Sequence, residues 1–269
     1  MKNSLLILLI TCALNSRAGD SIVLKLDVKT SFFTTDNLGN IYFINDKNEI
    51  IKFSGGYNGN NTDTTFITYS NKNLGRPTLI DASNAMKVLV FYPDYNSVVL
   101  LDNKLAELSV IRFNNFNTVF YQPAAVCKES ESDHIWIYDD LSRKLFKLDE
   151  TGNIIAQSEP FDQLFEFGIR SPNIFAADDA LYFDTDSNGI LIFDTYSNLV
   201  INLPALPAKI NQVTGDHLII TDGDRVFIFS IETANLVEIQ SPEKNTLQIN
   251  IRGENVFLRT ADSISVYQR

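Results

Sequence analysis

Apolar residues in this chain come in runs of four to six, and polar turn residues break each run before it reaches helical length. The stretch Ser171–Pro204 shows the pattern most clearly. It holds NIFAA, ALYF, GILIF and LVINL, separated by DD, DTDSN and DTYSN. Short apolar runs bounded by Asp, Asn, Gly and Ser predict strands joined by tight hairpins. No window repeats apolar residues at a spacing of 3.6, so no amphipathic helix is predicted. The stretch is a four-stranded antiparallel meander, and one such sheet needs neighbours of its own kind to bury both faces.

Those neighbours are present. Aligned on the second strand of each unit, the chain gives Ile41-Tyr42-Phe43, Val88-Leu89-Val90, Ile135-Trp136-Ile137, Leu181-Tyr182-Phe183, Leu218-Ile219-Ile220 and Val256-Phe257-Leu258. The steps between them are 47, 47, 46, 37 and 38 residues. A period near 40 with four strands per repeat predicts an all-β fold of six blades, a six-bladed β-propeller. The last unit has only three strands, LQINIRG, NVFLRT and SISVYQR, while Ser21–Asp27 near the start is a strand without a hairpin partner. The two deficits cancel if that early strand becomes the outermost strand of the last blade and removes its open edge. The residues from 19 to 269 are then one domain.

The chain opens MKNSLLILLITCALNSRAGD, with Lys2 before an apolar core from Leu5 to Leu14 and small residues around Ala18. Residues 1–18 therefore read as an export signal, the apolar core being far short of the roughly 20 residues that a membrane span needs. An exported protein, periplasmic or associated with the bacterial envelope, is expected. Lipidation at Cys12 is a minor alternative, since Thr11 before the cysteine is unusual for a lipoprotein. Cys127, in AAVCK, reads as a packed core thiol.

The formal net charge is -11, from 33 acids and 22 bases. Cleavage after Ala18 would remove Lys2 and Arg17 and no acid, taking the charge to -13. Such a chain repels nucleic acid, and the acids are scattered through turns as solubility would require.

Candidate chemistry is sparse. Asp184-Thr-Asp186-Ser-Asn188-Gly189 matches the opening of a calcium loop, but Thr195 stands where the closing carboxylate belongs. A hairpin turn accounts for the same residues, and no metal or other cofactor is expected. His134 and His217 each follow an Asp and open the second strand of their blades, in different repeats. With no G-x-S-x-G elbow and too few histidines for a zinc site, they read as repeat-position residues. A glycosidase would need a carboxylate pair and a sugar platform, yet the one Trp, Trp136, lies inside a strand.

The irregular features are the connections between blades. Two are long and aromatic: 114–123, with Phe116, Phe120 and Tyr121, and 159–172, with Phe161, Phe165 and Phe167. Arg76, Gln122 and Arg170 each stand just before an inner strand. Aromatic loops on a rigid scaffold are typical of partner-binding surfaces, and an Arg beside them suits an acidic group on the partner.

Turns such as Thr35-Asp-Asn-Leu-Gly-Asn-Ile-Tyr-Phe and Leu148-Asp-Glu-Thr-Gly-Asn153 resemble those of bacterial envelope six-bladed propellers of the NHL/TolB-like class. The resemblance covers residues 19–269 and rests on fold motifs. With the aromatic connections, the expected function is a non-enzymatic, monomeric interaction scaffold with a protein partner in the envelope. A glycan- or peptide-directed hydrolase or lyase, with its site at the mouth of the central channel, and a small-ligand sensor are the alternatives.

Overall fold

The computed structural model describes residues 21–55, 64–113, 122–129, 132–164, 169, 172–185, 188–206 and 208–268. Among them the chain forms six four-stranded antiparallel sheets, the six blades of a β-propeller. Blade 1 is β2 (Thr30–Thr35), β3 (Ile41–Asn45), β4 (Ile50–Ser54) and β5 (Thr65–Tyr69). Blade 2 is β6 (Leu79–Asp81), β7 (Val88–Tyr92), β8 (Ser97–Leu101) and β9 (Glu107–Arg112). Blade 3 is β10 (Pro123–Lys128), β11 (Ile135–Asp139), β12 (Lys144–Leu148) and β13 (Ile154–Gln157). Blade 4 is β14 (Asn173–Ala177), β15 (Ala180–Asp184), β16 (Ile190–Asp194) and β17 (Leu199–Leu203). Blade 5 is β18 (Lys209–Thr214), β19 (His217–Thr221), β20 (Val226–Ser230) and β21 (Asn235–Ile239). Blade 6 is β22 (Gln248–Arg252), β23 (Asn255–Arg259) and β24 (Ser263–Gln268), completed by β1 (Ser21–Asp27). β1 pairs with β24 from Ser21 opposite Gln268 to Asp27 opposite Ser263, the closure the strand count anticipates. Blades 1 to 4, from Ser31 onward, group into one compact unit; β1 and Thr30 group with blades 5 and 6 in a second.

The hairpins explain the Asp and Asn residues between strands. Asp36, Asn45, Asp102, Asp149 and Asp194 each accept, through one side-chain oxygen, the amides two and four residues on, at 2.8 to 2.9 Å. The residue three positions on takes a positive φ each time, at Gly39, Asn48, Leu105, Gly152 and Ser197. One short acceptor thus satisfies two amides of a tight turn. Gly189 is held to glycine for a further reason: its φ is +107, and a Cβ would lie 2.1 Å from the Leu203 carbonyl oxygen.

Burial follows strand position. β7, β8, β11, β19 and β20 are buried at every residue, whereas the outermost β5, β9, β17 and β21 are largely exposed. In the four-blade unit, Val90 and Tyr92 pack with Tyr42 and Ile44, Val98 and Leu100 with Ile135 and Ile137, and Tyr138 with Phe183. In the two-blade unit, Ile219 and Ile228 pack with Ile249, Val256 and Leu258. Each such fully buried side chain contributes about 1.5–3 kcal/mol by leaving water.

The inner strands have a free backbone edge, and side chains from the preceding blade cover it. Asp81 Oδ2 accepts the Lys128 amide at 2.7 Å. Asn211 Oδ1 accepts the Ile249 amide at 3.0 Å, and Gln212 clasps both polar groups of the Ile251 backbone, at 2.7 and 3.0 Å. A backbone amide left dry and unpaired would cost about 1–3 kcal/mol, so these contacts fix blade against blade.

No helix among the described residues is long and apolar enough to cross a membrane.

Candidate functional site

Two sides of the four-blade unit carry different chemistry. One side holds the turns between first and second strands and between third and fourth strands. The other holds the turns between second and third strands and the blade-to-blade connections.

The first side is organised by charge. Glu129 follows β10, and its Oε1 accepts from Trp136 Nε1 at 2.9 Å and Lys147 Nζ at 2.6 Å. Its Oε2 accepts from Ser132 Oγ at 2.6 Å, with His134 Nδ1 at 3.2 Å. Burial alone would raise the pKa of this carboxyl. The donated bonds from Lys147, Ser132 and Trp136 outweigh that and hold it below the usual carboxylate value. Lys147 also lies over the Trp136 ring, 5.3 Å from its centroid, and reaches the Thr195 carbonyl of blade 4 at 3.4 Å. Beside it, the Lys128 ammonium is 0% exposed and donates to the Glu129 and Ser132 carbonyls, with Asp133 at 3.4 Å. Asp133 in turn holds Lys87 of blade 2 at 2.6 Å; that bond first, then Glu150 and the Lys128 charge, lower its pKa from 3.8 to about 2.

Blade 1 repeats the arrangement. Asp36 follows β2 and accepts from Tyr42 at 2.9 Å. Lys52 lies 5.5 Å from the Tyr42 ring centroid and donates to the Asn103 carbonyl of blade 2 at 2.7 Å. Burial lowers the Lys52 pKa and, with Asp36 beside it, raises that of the Tyr42 hydroxyl. In both blades an acid, an aromatic ring and a cross-strand lysine form a latch onto the next blade. Sequence reasoning passed over these sets, though each is visible as an acid after the first strand, an aromatic mid-second strand and a lysine in an apolar third strand.

Of the sequence-predicted partner residues, the second side carries Arg76, Gln122 and Phe161. Phe116, Phe120, Tyr121, Phe165, Phe167 and Arg170 lie outside the described residues, as does Asp186 of the calcium-like loop. Phe161 is described, and it is only 2% exposed. Its ring stacks on Phe193 at 5.4 Å and meets Tyr138 and Phe183 at 5.4 and 5.2 Å. The ring is a plug between blades 3 and 4 and presents no surface to a partner: an aromatic in a connection gains more from an inter-blade gap than from water. Arg76 is exposed, with its Nε 3.8 Å from Asp94, while its amide donates to Asp94 Oδ2 at 2.9 Å. Gln122 is exposed too, its amide donating to Asp139 Oδ1 at 2.6 Å. Around them stand large apolar residues in water: Tyr95 at 59% exposure and Leu141 at 64%, in the middle turns of blades 2 and 3, and Leu164 after Phe161.

In the two-blade unit His217 is buried at the start of β19, opposite Ser230. Its Nδ1 lies 2.6 Å from Asp216 Oδ1, out of line for a hydrogen bond, and neither ring nitrogen has a hydrogen-bond partner among the described residues. Asp216 Oδ2 accepts from Ser230 Oγ at 3.4 Å. Asp, His and Ser thus meet, but Ser230 is bonded to the acid rather than to the imidazole, which a nucleophilic triad would require. Cys127 is buried, and desolvation raises its thiol pKa well above the ordinary value, the reverse of a reactive thiolate. Among the described residues, no three His, Cys, Asp or Glu side chains gather as for a metal ion.

No protein-family model matches the chain, and no curated protein is significantly similar to it. Solved structures are similar in fold. A streptogramin B lyase superposes with a TM-score of 0.56 at 15% identity, covering 88% of this chain and 78% of the lyase. A catalytically inactive histidine-to-alanine variant of virginiamycin B lyase from Staphylococcus aureus, with quinupristin, gives 0.54 at 14% identity, covering 94% and 82%. The WD40 domain of Neurospora crassa Pan2 gives 0.58 at 11% identity, covering 94% and 97%. All are similar at the level of the propeller fold.

Proposed function

We propose that this chain is an exported, non-enzymatic β-propeller that serves as a protein-interaction scaffold in the bacterial cell envelope. The observation that carries the reading is the pair of exposed apolar side chains, Tyr95 and Leu141, on adjacent blades of one side. Arg76 and Asp94 stand among them, and the long aromatic connections begin next to them, after Phe113 and Leu164. A few exposed apolar anchors within a polar rim are the composition of a protein-binding patch. The polar clusters of the opposite side are already engaged in latches between blades. Export rests on the apolar N-terminal run behind Lys2.

The test is purification of the tagged protein from its native envelope, wild type beside a Tyr95→Asp/Leu141→Asp double variant, with mass spectrometry of what co-purifies. One stoichiometric protein partner is expected, with recovery falling about tenfold or more in the variant at unchanged melting temperature. Equal recovery with both chains, or no partner with either, would overturn the reading.

The alternative, a hydrolase or lyase, draws on buried His217 beside Asp216 and on the two lyases among the similar structures. Incubation with quinupristin, read by mass spectrometry, tests it: a product formed by the wild type and lost in His217→Ala would favour catalysis.

A further inference from the structure

Arg259 ends β23 and pairs across the sheet with Gln248, the first residue of β22. Its Nε donates to Gln248 Oε1 at 2.7 Å, and its Nη1 donates to the Thr30 carbonyl at 2.8 Å. Two neutral acceptors thus hold the guanidinium plane at two points and occupy two of its five N–H groups. Burial pushes its pKa below the ordinary value, and among the described residues no acid pairs with it. This is unusual in a chain with 33 acids and 22 bases. The buried cations of blade 3 differ: Lys147 has Glu129 at 2.6 Å and Lys128 has Asp133 at 3.4 Å. A desolvated, oriented guanidinium without a counter-charge is an unfinished ion pair.

We propose that Arg259 is the anchor of an anion-binding site that takes a carboxylate group, with Gln248 and the Thr30 carbonyl orienting the fork. The remaining N–H groups suit two oxygens of a planar acceptor, the geometry in which Arg exceeds Lys. Carboxylate is favoured over tetrahedral phosphate because both of its oxygens lie in one plane and can match the planar guanidinium fork. The site lies in the two-blade unit and is independent of the scaffold reading, which rests on Tyr95 and Leu141.

The experiment follows arginine Nε–H signals of the ¹⁵N-labelled full chain by NMR during titration with sodium succinate. Inorganic phosphate and chloride are titrated in parallel at fixed ionic strength. The Arg259 signal, identified by its loss in Arg259→Lys, should shift saturably with succinate, with a dissociation constant on the order of 1 mM, and more weakly with phosphate. Arg76 is the internal reference and should drift without saturation. In Arg259→Lys, the succinate-dependent shifts of the Leu247 and Gln248 amides should disappear although the positive charge remains. A non-saturating Arg259 response, an equal response at Arg76, tighter binding of phosphate, or undiminished succinate shifts in the lysine variant would each overturn the proposal. Triple-resonance assignment of the Arg259 side chain in the wild type keeps the titration a test even if the variant does not fold.

Discussion

Blades 2 and 3 solve one packing problem with opposite chemistry. Midway along β7 and β8, blade 2 sets Leu89 opposite Leu100, and both are buried among apolar neighbours. At the same two places blade 3 sets Trp136 opposite Lys147, with Glu129 closing the set. Blade 1 follows blade 3, with Tyr42 opposite Lys52 and Asp36 as the acid. The fold therefore does not require charge at these sites. What charge adds is direction: Lys52 and Lys147 each reach a carbonyl of the following blade. A leucine pair tolerates small sliding at little cost, while a lysine in a fixed bond to a turn carbonyl sets the register.

The largest way to break this comparison is Glu129→Ala. It leaves the nearly buried Lys147 ammonium and the Trp136 N–H without their acceptor, and should cost about 3–5 kcal/mol in urea unfolding. The Glu129→Leu/Lys147→Met double variant, which makes blade 3 resemble blade 2, should recover most of that loss, because a buried pair replaced by packed apolar groups is often near neutral. A double variant no more stable than the single one would show that blade 3 cannot use the apolar solution.

A smaller effect is expected from Tyr42→Phe in blade 1. Only the hydroxyl bond to Asp36 is lost, and Asp36 keeps the Leu38 and Asn40 amides and the Asn40 side chain as donors. A loss of about 1 kcal/mol is expected by the same measurement. A value as large as that of Glu129→Ala would mean that the two latches are not equivalent.

The subtlest test uses pH. Asp133 has a folded pKa of about 2 against an ordinary 3.8, and its bond to Lys87 is the main cause. A depressed folded pKa stabilises above the ordinary value, and that contribution is lost as pH falls from 3.8 towards 2. Lys87→Ala should therefore flatten the stability curve in that interval and leave its shape near neutrality unchanged. A wild-type-like acid limb in Lys87→Ala would exclude the ion pair as the source.

The blades were legible in the sequence because each strand is a short apolar run and each hairpin begins with Asp or Asn for a local reason. Local rules of that kind survive any tertiary arrangement. Placing the early strand in blade 6 followed from counting alone, since an open edge is costly wherever it occurs. The latches were legible as residue types at fixed strand positions, but not as contacts. Lys147 in KLFKL looks like ordinary polar alternation, and nothing nearby in sequence says that Glu129 will stand beneath it. Phe161 misled for the same reason: four residues beyond the outer strand β13 it reads as loop surface, and only the gap between Tyr138 and Phe193 makes it core.

The pairing of Ser21 with Gln268 has a consequence in time. Ser21 and Gln268 stand 247 positions apart (268 minus 21), so joining them closes a loop that no other blade has to close. Pairings so distant in sequence form after local hairpins. Until then β1, an aliphatic strand with Ile22, Val23, Leu24 and Leu26, is a bare template for any passing extended chain. The yield of the last blade therefore depends on how long that first strand is kept from other partners.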